Sequence, residues 1–305
     1  MVDIIMATYN GEMYVSEQID SILNQTYKNF KLYIRDDGSS DNTIEIIKKY
    51  VNLYPNKIVL VEDNKANLGS IGNFNELISY SKNKYCMFCD QDDIWLNNKI
   101  EITLKEMKNL ELNHGENTPI LIHTDLKVVN NKLEIIEESF WNYTGINPNL
   151  NTYNRLLVMN TVTGCTMMIN NSLKQIIGDI PKECEMHDWW IAIVASVTGK
   201  IGVLNEQTIL YRQHNNNVAG AVSKNGYTNK IRKIFELKNK YNNQIEQAKL
   251  FKVKYNSKMS EENKIILNNF INIKQTNLIK RKLRIVKYKF YPHSKPGILS
   301  TIIFI

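Results

Sequence analysis

The 305-residue chain is poor in several things, and each scarcity removes a class of protein. Four cysteines follow an N-terminus, MVDIIMATYN, with an acid at its third position and no basic, apolar leader. A disulfide scaffold is excluded, and we expect reduced thiols in a cytoplasmic chain. Only 6 prolines and 13 glycines are present, so the composition is neither collagen-like nor disordered. No apolar run approaches the ~18 residues that span a bilayer, the longest being GILSTIIFI near the C-terminus, so an integral membrane protein is not expected. The glycine-rich loops GxGxxG and GxxxxGK[ST] are both missing, so nucleotide phosphates, if bound, are expected to be held through a metal. Two cysteine pairings imitate halves of a zinc site, Cys86 with Cys89 and Cys184 with His187. The first lies in the apolar run YCMFC, where residues three apart on a strand face opposite ways, so zinc is rejected.

What is present is an ordinary globular composition, 43% hydrophobic and 23% charged, long enough for two domains. The net charge of +7 conceals an uneven distribution: residues 1–223 carry 19 basic against 27 acidic side chains, and residues 224–305 carry 19 against 4. The two segments therefore face different partners. In the first, VDIIMA, KLYIRD, KIVLVED and YCMFCD alternate with amphipathic stretches such as YVSEQIDSILNQ. That pattern predicts an α/β fold, a mostly parallel sheet flanked by helices, with ligands beyond the carboxyl ends of the strands. ILIHTDLKVV, TVTGCTMMIN and KIGVLNEQTILYRQH read as further strands and HDWWIAIVASVTG as a buried helix. Beyond Gly226 the Lys- and Asn-rich segments carry apolar residues at three- and four-residue spacing, which predicts helices over about 228–290.

Polar clusters stand at three strand ends. Asp90, Asp92 and Asp93 repel one another unless a cation relieves them, and hard oxygen ligands suit Mg²⁺ or Mn²⁺. The alternative is a solvated acidic turn in which Asp93 caps the next helix. In RDDGSSD, Asp41 or Ser40 is placed to cap a helix, while a strand-end carboxylate can instead accept hydrogen bonds from a nucleobase or ribose. Asp188 precedes an apolar helix beside Trp189 and Trp190, which offer flat apolar surface to a ligand ring and would raise the acid's pKa by desolvation. The alternative there is an N-cap with two core indoles. After the last strand, His214 is a candidate to complete a metal shell or hold a diphosphate, and Arg212 to neutralise negative charge on a bound ligand. Gly164 is read as allowing a close backbone approach, and His123 and Asp125 alternate to one strand face whose place at the site the sequence leaves open.

Taken together, ATYNGEMYVSEQIDSILNQTY, RDDGSSDNT, NLGSIGNFN, FCDQDDIW, HDWW and LYRQHNNNVAG resemble the family-two glycosyltransferases of GT-A fold. The nearest likeness is to bacterial rhamnosyltransferases of surface polysaccharide synthesis, over about residues 1–220. The resemblance implies a Rossmann-like GT-A domain over 1–223, followed by a basic helical region over 224–305. It implies that Thr8 and Tyr9 line the nucleobase, with Tyr9 as stacking surface, that Asp37 binds the base and Asp90 the ribose, and that Asp92 is the main metal ligand. It implies that Asp188 is the general base. Asn73 stands where relatives place an arginine toward the diphosphate, and His187 where they have an acid.

The expected activity is inverting, metal-dependent transfer of a sugar from a nucleotide-diphosphate donor, dTDP-rhamnose, to a glycan or lipid-linked glycan acceptor. The expected cofactor is Mn²⁺ or Mg²⁺. A UDP-hexose donor is the first alternative. A sugar-phosphate nucleotidylyltransferase is disfavoured because ATYNGEMY has no basic residue. A nucleic-acid binder is disfavoured because Phe235, Tyr241, Phe251 and Tyr255 recur at helical spacing, as core residues do. The basic segment is expected to lie against an anionic membrane at its inner face, or to pack its apolar stripe on the catalytic domain.

Overall fold

A computed structural model of the chain describes residues 1–214 and 230–305. The asparagines at 215–217 and the expected boundary at 223/224 lie outside the described residues. The first half alternates β1 (Val2–Thr8), α1 (Val15–Leu23), β2 (Phe30–Asp36), α2 (Thr43–Leu53), β3 (Ile58–Leu60), α3 (Gly69–Tyr80) and β4 (Tyr85–Cys89). β5 (Ile94–Trp95), α4 (Lys99–His114), β6 (Ile120–Val129), β7 (Ile135–Glu137), α5 (Phe140–Thr144) and α6 (Tyr153–Leu156) follow. β8 (Met168–Asn170), α7 (Asn171–Ile177), α8 (His187–Thr198) and β9 (Lys200–Arg212) complete the sheet. Four helices lie beyond: α9 (Lys230–Tyr255), α10 (Glu261–Ile271), α11 (Leu278–Tyr288) and α12 (Lys295–Phe304).

The strands join one nine-stranded sheet in the order β3-β2-β1-β4-β8-β6-β9-β5, with β7 beside β6. Pairings among β3, β2, β1 and β4 are parallel, as the alternation predicts, while β8 enters antiparallel between β4 and β6. Two apolar layers result from the strand period of two. Ile4, Met6, Met87 and Cys89 face α1 and α4, whereas Ile5, Cys86 and Phe88 face α3 and α8. Cys86 and Cys89 thus fall on opposite sides of β4.

Two expected strands are shorter than read. KIVLVED supplies only Ile58–Leu60, because Asp63 leaves the sheet to bind Arg35. TVTGCTMMIN pairs only at Met168–Asn170, its front half forming a 3-10 turn at Gly164–Thr166 that runs against α8.

The C-terminal helices bury their inner stripe in the same core as α8. Tyr241, Phe251, Tyr255, Phe270 and Phe290 are buried in it, and Phe251 meets Trp190 edge-on at 5.7 Å. Arg155 of α6 holds the end of this layer, donating to the carbonyls of Lys289 (3.4 Å) and Tyr291 (3.1 Å). Among the described residues, no helix is long and apolar enough to cross a membrane.

Candidate active site

Four strand ends and the start of α8 enclose a cavity of about 520 Å³. On one side stands the turn after β2. Gly38, at φ +93°, takes a left-handed conformation that lets Asp36 accept from the Gly38 and Ser39 amides at 3.0 and 2.7 Å. The buried Thr8 hydroxyl donates to the same carboxylate at 2.8 Å. Asp37 accepts from the Leu68 and Gly69 amides at 2.9 and 2.8 Å and from the Arg35 guanidinium at 3.2 Å. Neither Asp41 nor Ser40 caps α2, whose cap position is Asn42; Asp41, one residue earlier, accepts from the Thr43 amide (3.0 Å) and from the Glu12 amide (3.0 Å), tying the helix start to the turn after β1. Tyr9 stands exposed at the mouth, its backbone held twice by the Gln91 amide at 2.9 and 3.0 Å.

The floor is the acidic segment after β4. Asp90 is pushed up to about 7, first by desolvation and then by the charges of Asp92 and Asp188. Asp92 Oδ2 lies 2.8 Å from His214 Nε2, whose ring stacks on Tyr14 with centroids 4.8 Å apart. Asp93 does not cap a helix. It is buried, one oxygen accepting from the Arg212 amide at 3.2 Å and the other, Oδ2, having no partner. Ligand atoms of Asp90, Asp93 and Cys165 lie within 4.8 Å of one another. Crowded carboxylates with an orphaned buried oxygen beside a carboxylate–imidazole pair fit a divalent cation such as Mn²⁺ or Mg²⁺. Cys165 is a poor ligand, since burial holds its thiol well above the ordinary value and therefore protonated.

The third wall is the start of α8. Asp188 accepts from the Trp189 amide at 2.6 Å and interacts with the Gly164 backbone and the Asn160 side chain, yet burial still raises it to about 6. A Cβ on Gly164 would stand 3.0 Å from His187 Nε2 and 3.5 Å from Asp188 Cβ, so a glycine allows the turn this close. His187 is buried against the Phe74 ring at 4.2 Å, and desolvation lowers it to about 3, so it is neutral. The two tryptophans are not a sugar platform. Trp189 donates to the Leu156 carbonyl at 2.6 Å, Trp190 packs on Phe251 and Tyr255, and neither lines the cavity.

The cavity thus gathers Thr8, Tyr9, Asp37, Asp90, Asp92 and Asp188. Arg212 is turned elsewhere: buried, it donates to the Asp92 carbonyl (3.1 Å) and the Asn131 carbonyl (2.8 Å), pairs with Glu17, and stacks over Tyr14. Its role here is to fix the Asp92–Asp93 turn. His123 and Asp125 do not line the cavity either. Asp125 accepts from Ser139 (2.5 Å) and Gln207 (3.1 Å), and His123 lies edge-on to Trp141. Sequence reasoning missed Arg35, the buried cation that binds Asp37, Asp63 and Asn73 together. It also missed Gln91, which fills the open position of the Asp90-x-Asp92 element. Asn73 lines the cavity but is bonded to Arg35, and among the described residues no lysine or arginine lines it at all.

Comparison with known proteins gives the family and the fold. The family model described as Glycosyl transferase family 2 matches residues 3–177. The Escherichia coli UDP-Glc:alpha-D-GlcNAc-diphosphoundecaprenol beta-1,3-glucosyltransferase WfgD is 33% identical over 174 residues, covering 57% of this chain and 61% of that protein. The Shigella flexneri dTDP-rhamnosyl transferase RfbG is 29% identical over 228 residues, covering 71% and 74%. In fold, the chain is similar to S. aureus TarS 1-349 in complex with UDP-GlcNAc, with a TM-score of 0.57 at 18% identity over 93% of this chain and 78% of that one.

Proposed function

The chain belongs to glycosyl transferase family 2, and we propose on that premise that it is an inverting, metal-dependent glycosyltransferase that moves rhamnose from dTDP-rhamnose to a glycan or lipid-linked glycan acceptor in surface polysaccharide synthesis. One observation carries the reading: a single cavity joins a polar, partly aromatic nucleoside side to a raised carboxyl at α8 across an acid cluster, with no lining cation among the described residues. Among the described residues the charged groups that a diphosphate would meet there are carboxylates, which supports a divalent metal as the group that holds it.

Tyr9 offers a face to the base, Asp37 accepts from its N–H edge, and Asp90 accepts from the ribose hydroxyls. Asp92 and His214 would hold the cation, with Arg212 keeping their turn in place. When bound, that cation would offset the negative charge that grows on the departing nucleotide. Asp188, ionised above about pH 6, takes the proton of the acceptor hydroxyl as its oxygen bonds to the anomeric carbon and the bond to the diphosphate breaks. Attack from the side opposite the leaving group inverts the anomer, giving an α-rhamnoside from a β-linked donor. A lipid-linked acceptor would be met at the inner face of the cell membrane.

The named similarity to RfbG over most of both chains favours dTDP-rhamnose. The similarity to WfgD and to a UDP-GlcNAc-bound fold favours a UDP-hexose as the second reading. Thermal unfolding with each nucleotide sugar, in Mn²⁺ and in chelator, separates them. A donor at a hundred times its dissociation constant adds about 2.7 kcal/mol. Metal-dependent stabilisation by dTDP-rhamnose is expected, and stabilisation by UDP-glucose with none by dTDP-rhamnose overturns the donor assignment.

A further inference from the structure

α11 is apolar on two sides. Its inner side buries Ile285 beneath Phe290 and half-buries Tyr288, as part of the shared core. Its outer side carries Ile279, Leu283 and Val286 at the i, i+4, i+7 spacing of one helical stripe, exposed by 75, 64 and 52%. α12 adds Leu299 and Ile303, one turn apart and exposed by 60 and 50%. The two helices touch, and Arg281 ties them by donating to the Ile305 carbonyl at 2.8 Å. Single exposed aliphatics are ordinary on a soluble surface, whereas a stripe repeated on two joined helices is not.

The charges around the stripe say what kind of surface covers it. Lys280, Lys282 and Lys287 are exposed along its flanks, and the sequence contains no Asp or Glu after Glu262. A second copy of the chain docked here by the same face would set like charges against like. We propose that the outer face of α11 and α12 seats on an anionic lipid surface, the aliphatic stripe entering the headgroup boundary while the lysines reach the phosphates. This rests on the lipid-linked acceptor of the proposed function only for its purpose, since the contact is read from the helices alone. Because α6 is pinned to this layer by Arg155 and to α8 by the Trp189 indole, the acceptor side of the cavity would be held at a set orientation to the bilayer.

The full chain should float with phosphatidylglycerol-containing vesicles and not with phosphatidylcholine alone, and added salt should release it. Each lysine among the three changed to glutamine should weaken binding about fivefold. The pair Ile279→Glu and Leu283→Glu should abolish flotation. All four variants should keep metal-dependent stabilisation by the donor, which shows that they are folded and tests the cavity separately. Flotation that does not depend on anionic lipid, or that survives the Glu pair, overturns the proposal. A wild-type dimer made monomeric by the Glu pair also overturns it, in favour of a second copy, and a nucleic-acid gel shift lost with the lysines overturns it in favour of that polyanion.

Discussion

Replacing Asp188 by asparagine should slow turnover and raise stability together. The carboxyl is raised from an ordinary 3.8 to about 6, chiefly because burial disfavours its charged form. An acid whose folded pKa lies above its unfolded one contributes stability in full below the unfolded value and loses it as pH rises through the folded value. Above pH ~6 the ionised carboxylate therefore costs folding roughly 3 kcal/mol, at about 1.36 kcal/mol per unit. Asparagine removes that charge but weakens the acceptor bond from the Trp189 amide, leaving a net gain of about 1–2 kcal/mol. Near neutral pH the melting temperature should rise by about 2–4 °C, and the gain should vanish near pH ~4, where both proteins are uncharged at this position. The same change should lower kcat by about 10² to 10⁴, since the acceptor proton has lost its base. Wild-type kcat should fall about tenfold one pH unit below that pKa, and this limb should be missing from the variant. Differential scanning calorimetry and a pH series of initial rates read both effects. A melting temperature that falls near neutral pH, or turnover within a few-fold of wild type, would refute the assignment of Asp188 as a strained, working base.

Other changes probe separate parts of the site. Asp92→Asn should abolish metal-dependent donor binding by calorimetry, and His214→Ala should weaken metal affinity by about 10- to 100-fold; unchanged binding in both would move the cation elsewhere. Arg35→Met should cost about 3–5 kcal/mol in chemical denaturation, because it strands the Asp37 and Asp63 carboxylates. A loss under ~1 kcal/mol would mean that water replaces the guanidinium freely. Gly199→Ala would place a Cβ 1.8 Å from the Pro119 carbonyl oxygen, so backbone must move. It should destabilise by about 2–3 kcal/mol or more while leaving the donor preference unaltered, and a neutral melting temperature would show that the β6–β9 end is plastic.

The parallel half of the sheet was legible because each of its strands alternates with its own helix, and local periodicity is what sequence displays. β8 was not. Its antiparallel insertion between β4 and β6 depends on partners more than 40 residues away on one side and more than 80 on the other. The strand-end acids were legible as a cluster, since their mutual repulsion is written in their spacing. The direction in which Arg212 points was not, because a long side chain at a strand end can turn into the cavity or away from it. The tryptophans after Asp188 were misread for a related reason: an indole beside a carboxylate has the same spelling whether it meets a sugar or a core phenylalanine. Arg35 escaped notice because a cation inside a strand looks like an exposed residue until Asp63, beyond the end of β3, and Asn73 of α3 are brought to it.

Arg212 also bears on when the protein becomes competent as it is made. Its amide, guanidinium and the neighbouring His214 ring reach back about 120 residues to Asp93 and Asp92. β5, which follows those acids directly, has β9 as its strand partner. A nascent chain released through Gln91 already contains the partners of Asp36 and Asp37 and of the Tyr9–Gln91 bonds on the proposed nucleoside side. The Asp92–Asp93 part of its acid turn, by contrast, lacks its Arg212 and His214 contacts until β9 leaves the ribosome, because the closing loop is long and its ordering cost is met only when that strand docks. On the proposed roles, synthesis finishes the nucleotide cradle early and the leaving-group end late. A fragment ending before β9 would lack the means to break the donor it can begin to recognise.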